Sequence, residues 1–180
     1  MMKYQTVIKF WFEEIDNKLW FSKSDDFDRL LEVKFLTAYH AAKSNELFEW
    51  RQNIQGRLAE IILLDQFSRN LFRNSPLAFA TDPLSLCLAQ QAVSLQLDMD
   101  LPLKQRAFLY MPYMHSESLV IHQEAVKLFS NAGLDDNLRF EIRHKNIIEQ
   151  FGRYPHRNKI LGRESTAEEM DFLSHPGSSF

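Results

Sequence analysis

Residues 53–73 read NIQGRLAEIILLDQFSRNLFR, and this stretch decides the fold. Asn53 offers a side-chain oxygen to the backbone N–H groups just after it, which predicts an N-cap and a helix over about Ile54 to Asn70. Leu58, Ile61, Ile62, Leu64 and Phe67 make that helix apolar nearly all round. A helix without a polar face belongs in the middle of a fold, covered from several sides.

The segments before it supply such cover. Tyr4 to Phe12 predicts a short helix with Val7, Ile8, Phe10, Trp11 and Phe12 on an apolar face, broken at Asp16-Asn17. Trp20 and Phe21 follow as plugs in a loop. Ser24 then caps a long helix to about Lys43, whose Phe27, Leu30, Leu31, Phe35, Ala38 and Tyr39 keep the helical period. Ser44-Asn45 end it, and a short helix holds Leu47, Phe48 and Trp50.

Beyond Arg73 the start signals recur. Ser75-Pro76 begins a turn, and Asp82-Pro83 pairs an N-cap with a first-turn proline for a helix to about Leu97. Pro102 opens a helix to about Tyr110, Pro112 bends or restarts it, and the pattern resumes from His115 to Ala132 with Gly133 as terminator. Asp135-Asp136 precede a helix ending at Phe151, where Gly152 suits a left-handed cap. Pro155 begins a single turn. Ser165 with Glu168 predicts a capping box for a last helix, Thr166 to Ser174, and the tail HPGSSF frays.

Five Gly and six Pro in 180 residues are too few turn formers for many short strands, while 45% apolar residues with 15 Phe supply a core. The expectation is one all-helical domain over 1–180, its neighbouring helices antiparallel because the connections are short. No clean repeat of about 34 residues appears. A net charge of −3 gives no general reason to bind nucleic acid or an anionic membrane. The single Cys87, inside LSLCLAQQAV, excludes an intrachain disulfide and a multi-Cys zinc site and reads as an inert core thiol. No signal h-region opens the chain, and no apolar run approaches the ~20 residues of a membrane span, so a cytoplasmic location is expected. Oligomeric state is left open.

Three polar segments interrupt apolar helices. In LLDQFSRN, Asp65 and Arg69 are four apart and share a face, and an acid after Ile61–Leu64 needs a cation. In MHSES, Glu117 lies in a predicted first turn, where it favours the helix dipole; His115 and His122, seven apart on one face, rise ~10 Å from each other, too far to chelate one metal. The third, residues 144–163, reads HKNIIEQFGRYPHRNKILGR: His144 faces inward, and Arg153, His156, Arg157, Lys159 and Arg163 follow with no acid after Gln150. Arginine forks match carboxylates and phosphates, so these groups hold either an anion or acids of the fold, with Asp65, Glu117 and Glu149 as the expected partners. Asp65 is expected to pair with Arg153, Arg157 or Arg69. Nucleophile-elbow, P-loop and dinucleotide motifs are absent, no metal or cofactor is expected, and no HExxH occurs.

LAEIILLDQFSRNLFR, FLYMPYMHSE, HKNIIEQFGRYPHRNKILGR and STAEE, with the leading FWF and Trp20-Phe21, resemble the bacterial DUF924 family over nearly the whole chain. The resemblance implies an all-α, TPR-like fold and brings no reaction or catalytic residues. The fold expected is therefore all-α, a TPR-like stack of antiparallel helical hairpins with about eight to ten helices. The function expected is a binding module whose polar pocket of Asp65, Arg69, His115, Glu117, His144, Arg153, His156 and Arg157 takes a small anion or a peptide carboxylate. The alternative is a hydrolase-type enzyme with His115 or His144 as base, Glu117 or Asp65 orienting it, and arginines stabilising negative charge. A third reading makes Trp11, Trp20 and Phe21 a docking patch.

Overall fold

The computed structural model describes residues 2–179; Met1 and Phe180, the last residue of the tail expected to fray, lie outside the described residues. Eight helices and no strand occur among the described residues. They are α1 (4–14), α2 (Asp25–Lys43), α3 (54–71), α4 (Asp82–Ser94), α5 (Leu103–Met114), α6 (Leu119–Asn131), α7 (Asp135–Phe151) and α8 (Ala167–Leu173). Short 3-10 turns fill several connections. None of these helices is long and apolar enough to cross a membrane.

The chain packs as two compact units. Among the described residues, unit 1 comprises 2–73 and 77–112, and unit 2 comprises 74–76 and 113–179. In unit 1, α3 is the central element that its all-round apolar sequence predicts: Leu58 through Phe67 are all buried. Two α-helices, α1 and α3, widen into π turns at Phe10–Glu14 and Ile62–Phe67. An inserted residue in the turn frees backbone carbonyls for other donors, and Leu64 O accepts from the Thr81 hydroxyl at 2.6 Å. Rings interlock around this helix: Trp11 and Phe35 pack on Phe67 with centroids 5.1 and 4.9 Å apart. Gly56 is needed at the Trp50 turn, because a Cβ there would come within 2.0 Å of the Trp50 carbonyl.

Caps follow the sequence closely, with shifts of a residue. Ser24 and Asn53 accept from Phe27 N and Gln55 N as expected. Asp82 is not the N-cap of α4; Thr81 holds that position and Asp82 enters the first turn, where Arg69 grips it. The capping box of α8 is Thr166 with Glu169, not Ser165 with Glu168. Pro112 neither ends nor restarts α5: the helix runs through it to Met114. The break falls at 115–118, so His115 is outside any helix and Glu117 precedes α6 rather than occupying its first turn. Cys87 is exposed on the outer side of α4, because Ser85, Leu88, Ala89 and Ala92 form the buried stripe. Leu30 is likewise 40% exposed.

In unit 2, α6 and α7 pack against each other across the short 132–134 connection. Gly152 ends α7 at φ 68°, a left-handed cap that turns the chain into the Pro155 turn. A small apolar cluster of Ile147, Ile148, Tyr154, Phe151 and Phe172 closes this end. The tail is not wholly frayed, since Ser178 is buried and donates to Leu173 O at 3.2 Å.

Candidate functional site

The candidate residues fall in both units. In unit 1, Asp65 is completely buried on the π turn of α3, which also buries Gln66. Its Oδ1 stands 3.5 Å from Arg69 Nη1, and Gln66 donates to Oδ2 at 2.6 Å. The fork of Arg69 closes on Asp82 at 2.9 and 3.0 Å. The local partner among the three arginines considered for Asp65 is therefore in place, and Arg69 joins α3 to the start of α4. A second fork, Arg73 to Asp28 at 2.6 and 2.8 Å, ties the end of α3 to α2. Burial opposes the Asp28 charge, but Arg73 and Asn70 outweigh it and hold this carboxyl below its ordinary value.

In unit 2 the gathering point is Tyr154, a residue to which no role fell from the sequence. It is fully buried, and three of the candidates together with His122 lie around its ring. His122, His144 and His156 stand at ring-centroid distances of 6.2, 5.8 and 5.7 Å, and the Arg157 guanidinium lies 4.7 Å from the ring centre. Arg157 also donates from Nη2 to the His115 carbonyl at 3.0 Å. His115 and His156 are half-buried, whereas Arg157 and His144 are 6% exposed.

His144 and His122 are each held by hydrogen bonds of their rings. His144 Nδ1 donates to Phe140 O, one turn earlier in α7, at 2.7 Å. Burial pushes the His144 pKa down to about 3, and His115, His122 and His156 add to the shift because their positive charge opposes another. His122, fully enclosed on α6, places Nδ1 2.6 Å from Glu141 Oε1 of α7. Burial raises the Glu141 pKa, with His122 pulling the other way.

The acids and arginines of this unit are largely matched to each other. Glu117 accepts from both Arg163 nitrogens, at 2.6 and 2.9 Å, and from Tyr154 N at 2.8 Å. Burial opposes its charge, yet the Arg163 fork and the Tyr154 N–H hold its pKa below the ordinary value. Arg153 is matched to an acid of its own unit. Its Nε and Nη2 grip Glu169 of α8 at 2.7 and 2.8 Å, which drives the Glu169 carboxyl down to about 2. Glu149 pairs with Lys145 of its own helix. His115 and His122 do not share a helix face, and among the described residues no group of three His, Cys, Asp or Glu is arranged to hold a metal.

Of the aromatic patch, Trp11 is buried, Trp20 is half-buried against Phe108 at 4.8 Å, and Phe21 alone is 72% exposed.

Against this geometry, the family of bacterial proteins of unknown function designated DUF924 matches residues 7–177. The chain belongs to the DUF924 family. A solved structure of a protein of unknown function from Agrobacterium tumefaciens has 37% sequence identity and a TM-score of 0.89, covering 94% of this chain and 96% of that one. No curated protein matches the chain. The DUF924 match takes in both the Asp65–Arg69 segment and the Tyr154 cluster.

Proposed function

We propose that this DUF924 protein is a cytoplasmic binding module for a small anion, a phosphate group or a peptide carboxylate, received by His115, His156 and Arg157 beside Tyr154. The observation that carries the reading is the gathering of donors at one ring. Three imidazoles and the Arg157 guanidinium pack on Tyr154, Arg157 also holds the His115 carbonyl, and the nearby carboxylates Glu117 and Glu141 are bound by Arg163 and His122. An anion entering there meets a guanidinium fork, the side chain that matches carboxylate and phosphate oxygens best, with imidazole groups beside it. Asp65, Arg69 and Arg153, committed to carboxylate pairs, act in this reading as framework, and Glu117 orients the loop.

The acid–base reading has less support. Of its two candidate bases, His144 is buried with its Nδ1 hydrogen directed at Phe140 O and its pKa pushed down to about 3, so it is a poor base near neutrality. Glu117, offered to orient a base, is instead held by the Arg163 fork and Tyr154 N.

The test is a titration of the intact protein with inorganic phosphate and, separately, with acetylglycine as a peptide carboxylate, following histidine imidazole signals by NMR. Saturable shifts of His115 and His156, lost in Arg157→Gln and retained in Arg153→Ala, are expected. Which of the two probes saturates names the ligand chemistry. The absence of saturable shifts with both probes overturns the reading.

A further inference from the structure

The protons of the His122–Glu141 pair can be placed from their neighbours. His122 Nε2 lies 2.8 Å from the Ser116 carbonyl, which can only accept, so Nε2 carries hydrogen. The Tyr154 hydroxyl donates to Met114 O at 2.6 Å and faces Nε2 with its oxygen at 3.1 Å. Across the ring, Nδ1 stands 2.6 Å from Glu141 Oε1. Two bare lone pairs do not approach so closely, so a hydrogen lies between them. We propose that His122 and Glu141 hold this one proton in common through the neutral range, as a pH-sensitive latch on unit 2.

Both side chains are fully enclosed, and the pair links α6 to α7 and, through Ser116, Met114 and Tyr154, to the 115–118 break and the Pro155 turn. Drawn as imidazolium with carboxylate, or as imidazole with carboxylic acid, the pair is neutral. Removing its proton strands a negative charge in a sealed site, and adding one strands a positive charge. The groups facing it do not replace that proton. His144 stays neutral, Lys145 is paired with Glu149, Glu117 is bound by Arg163, and Arg157 lies over Tyr154. His115 and His156, which also act on His144, complete the surrounding set.

The sign follows from counting protons in the two states. The unfolded pair holds two protons below about pH 4.3, one between about 4.3 and 6.5, and none above. The folded pair holds one throughout. Above about pH 6.5 the folded state therefore binds the extra proton, and its equilibrium constant falls tenfold per pH unit as pH rises. Below about 4.3 the unfolded state binds more, and stability falls as pH falls.

The experiment is urea denaturation of the intact chain between pH 6 and 9, wild type against Glu141→Gln. A glutamine amide can donate to Nδ1 of neutral His122 without a titratable proton. All other histidines contribute equally to both proteins. The ratio of folding constants, wild type over variant, is expected to fall tenfold per pH unit, and a ratio that stays constant overturns the latch. Should Glu141→Gln not fold, the wild-type protein decides. Imidazole nitrogen spectra at pH 8 are expected to show hydrogen on Nε2 and a slowly exchanging, far-downfield proton at Nδ1. A bare Nδ1 beside an ionised Glu141 carboxyl overturns the proposal. Neither outcome bears on the anion site, whose three residues lie outside the pair.

Discussion

The two units bury different kinds of side chain at their centres. Unit 1 has the larger hydrocarbon core: Trp11, Phe35, Phe67 and the leucines and isoleucines of α3 are sealed together, and its buried carboxylates Glu60 and Asp65 are each met by an arginine, Arg51 and Arg69. Unit 2 has a smaller apolar cluster and encloses His122, His144, Glu141 and Tyr154 in a hydrogen-bonded network. Area burial is indifferent to pH, whereas a buried polar network is only as good as its protonation state. The difference teaches where sensitivity should lie: bulk truncation should hurt unit 1 most, and pH and single polar atoms should act through unit 2.

The largest effect tests the hydrocarbon side. Phe67→Ala removes a fully buried ring from among Phe10, Trp11 and Phe35. A loss of ~3–5 kcal/mol is expected, read from urea denaturation, and it should be the same at pH 5 and pH 8. A pH-dependent loss would erase the contrast between the units.

Next comes a single atom in unit 2. Tyr154→Phe keeps the ring that His144, His156 and Arg157 pack on but leaves the Met114 carbonyl without its hydroxyl donor. An unsatisfied buried acceptor costs ~1–3 kcal/mol. A neutral substitution would mean that the network is idle and that packing alone holds this unit too.

Acid should act through Glu169. Its carboxyl is held near 2 by Arg153, below its ordinary value, so the pair contributes stability that is present above about pH 4.3. That contribution is lost as pH falls through about 2. Circular dichroism during acid titration should show Glu169→Gln less stable than wild type at pH 6, with the gap closing towards pH 2. A gap of constant size would show that charge is not what Arg153 recognises.

The helices were legible because the 3.6 period and the capping residues are local signals. Ser24, Asn53 and Gly152 sit where their chemistry places them. Errors came where tertiary partners compete with local preference. Asp82 looks like a cap, but Arg69 draws its carboxylate away, and the helix expected to end near Tyr110 runs on through Pro112 to Met114 without restarting. The π turn at Ile62–Phe67 has no sequence mark. Spacing offers Glu117 a cation from residues 144–163 without saying which, and across 46 residues the fold selects Arg163. One signal was available and unread. Glu141 precedes His144 by three and Ile148 by seven, so an acid sits on the inward stripe of α7. Such an acid demands a buried partner, and His122 is that partner.

The smallest effect separates two caps of similar chemistry. Ser24→Ala removes a lone acceptor, 3.3 Å from Phe27 N, at the start of α2. Thr166→Ala removes an acceptor 3.2 Å from Glu169 N, but that same Glu169 accepts from Thr166 N at 2.8 Å and carries the Arg153 fork. Each substitution should cost ~1 kcal/mol. Their pH behaviour should differ. Ser24 contacts no titratable partner through its cap, so its loss should be the same at pH 6 and pH 3. The box residue fixes the backbone that presents Glu169 to Arg153, so Thr166→Ala should loosen that pair and lift the Glu169 pKa towards its ordinary value. Stability of the Thr166 variant should then begin to fall at a higher pH than wild type as acid is added. Carboxyl carbon shifts of Glu169 read this directly. An unchanged Glu169 titration in Thr166→Ala would show that Arg153 alone positions the carboxylate, and the capping box would then be no more coupled to charge than the simple cap on α2.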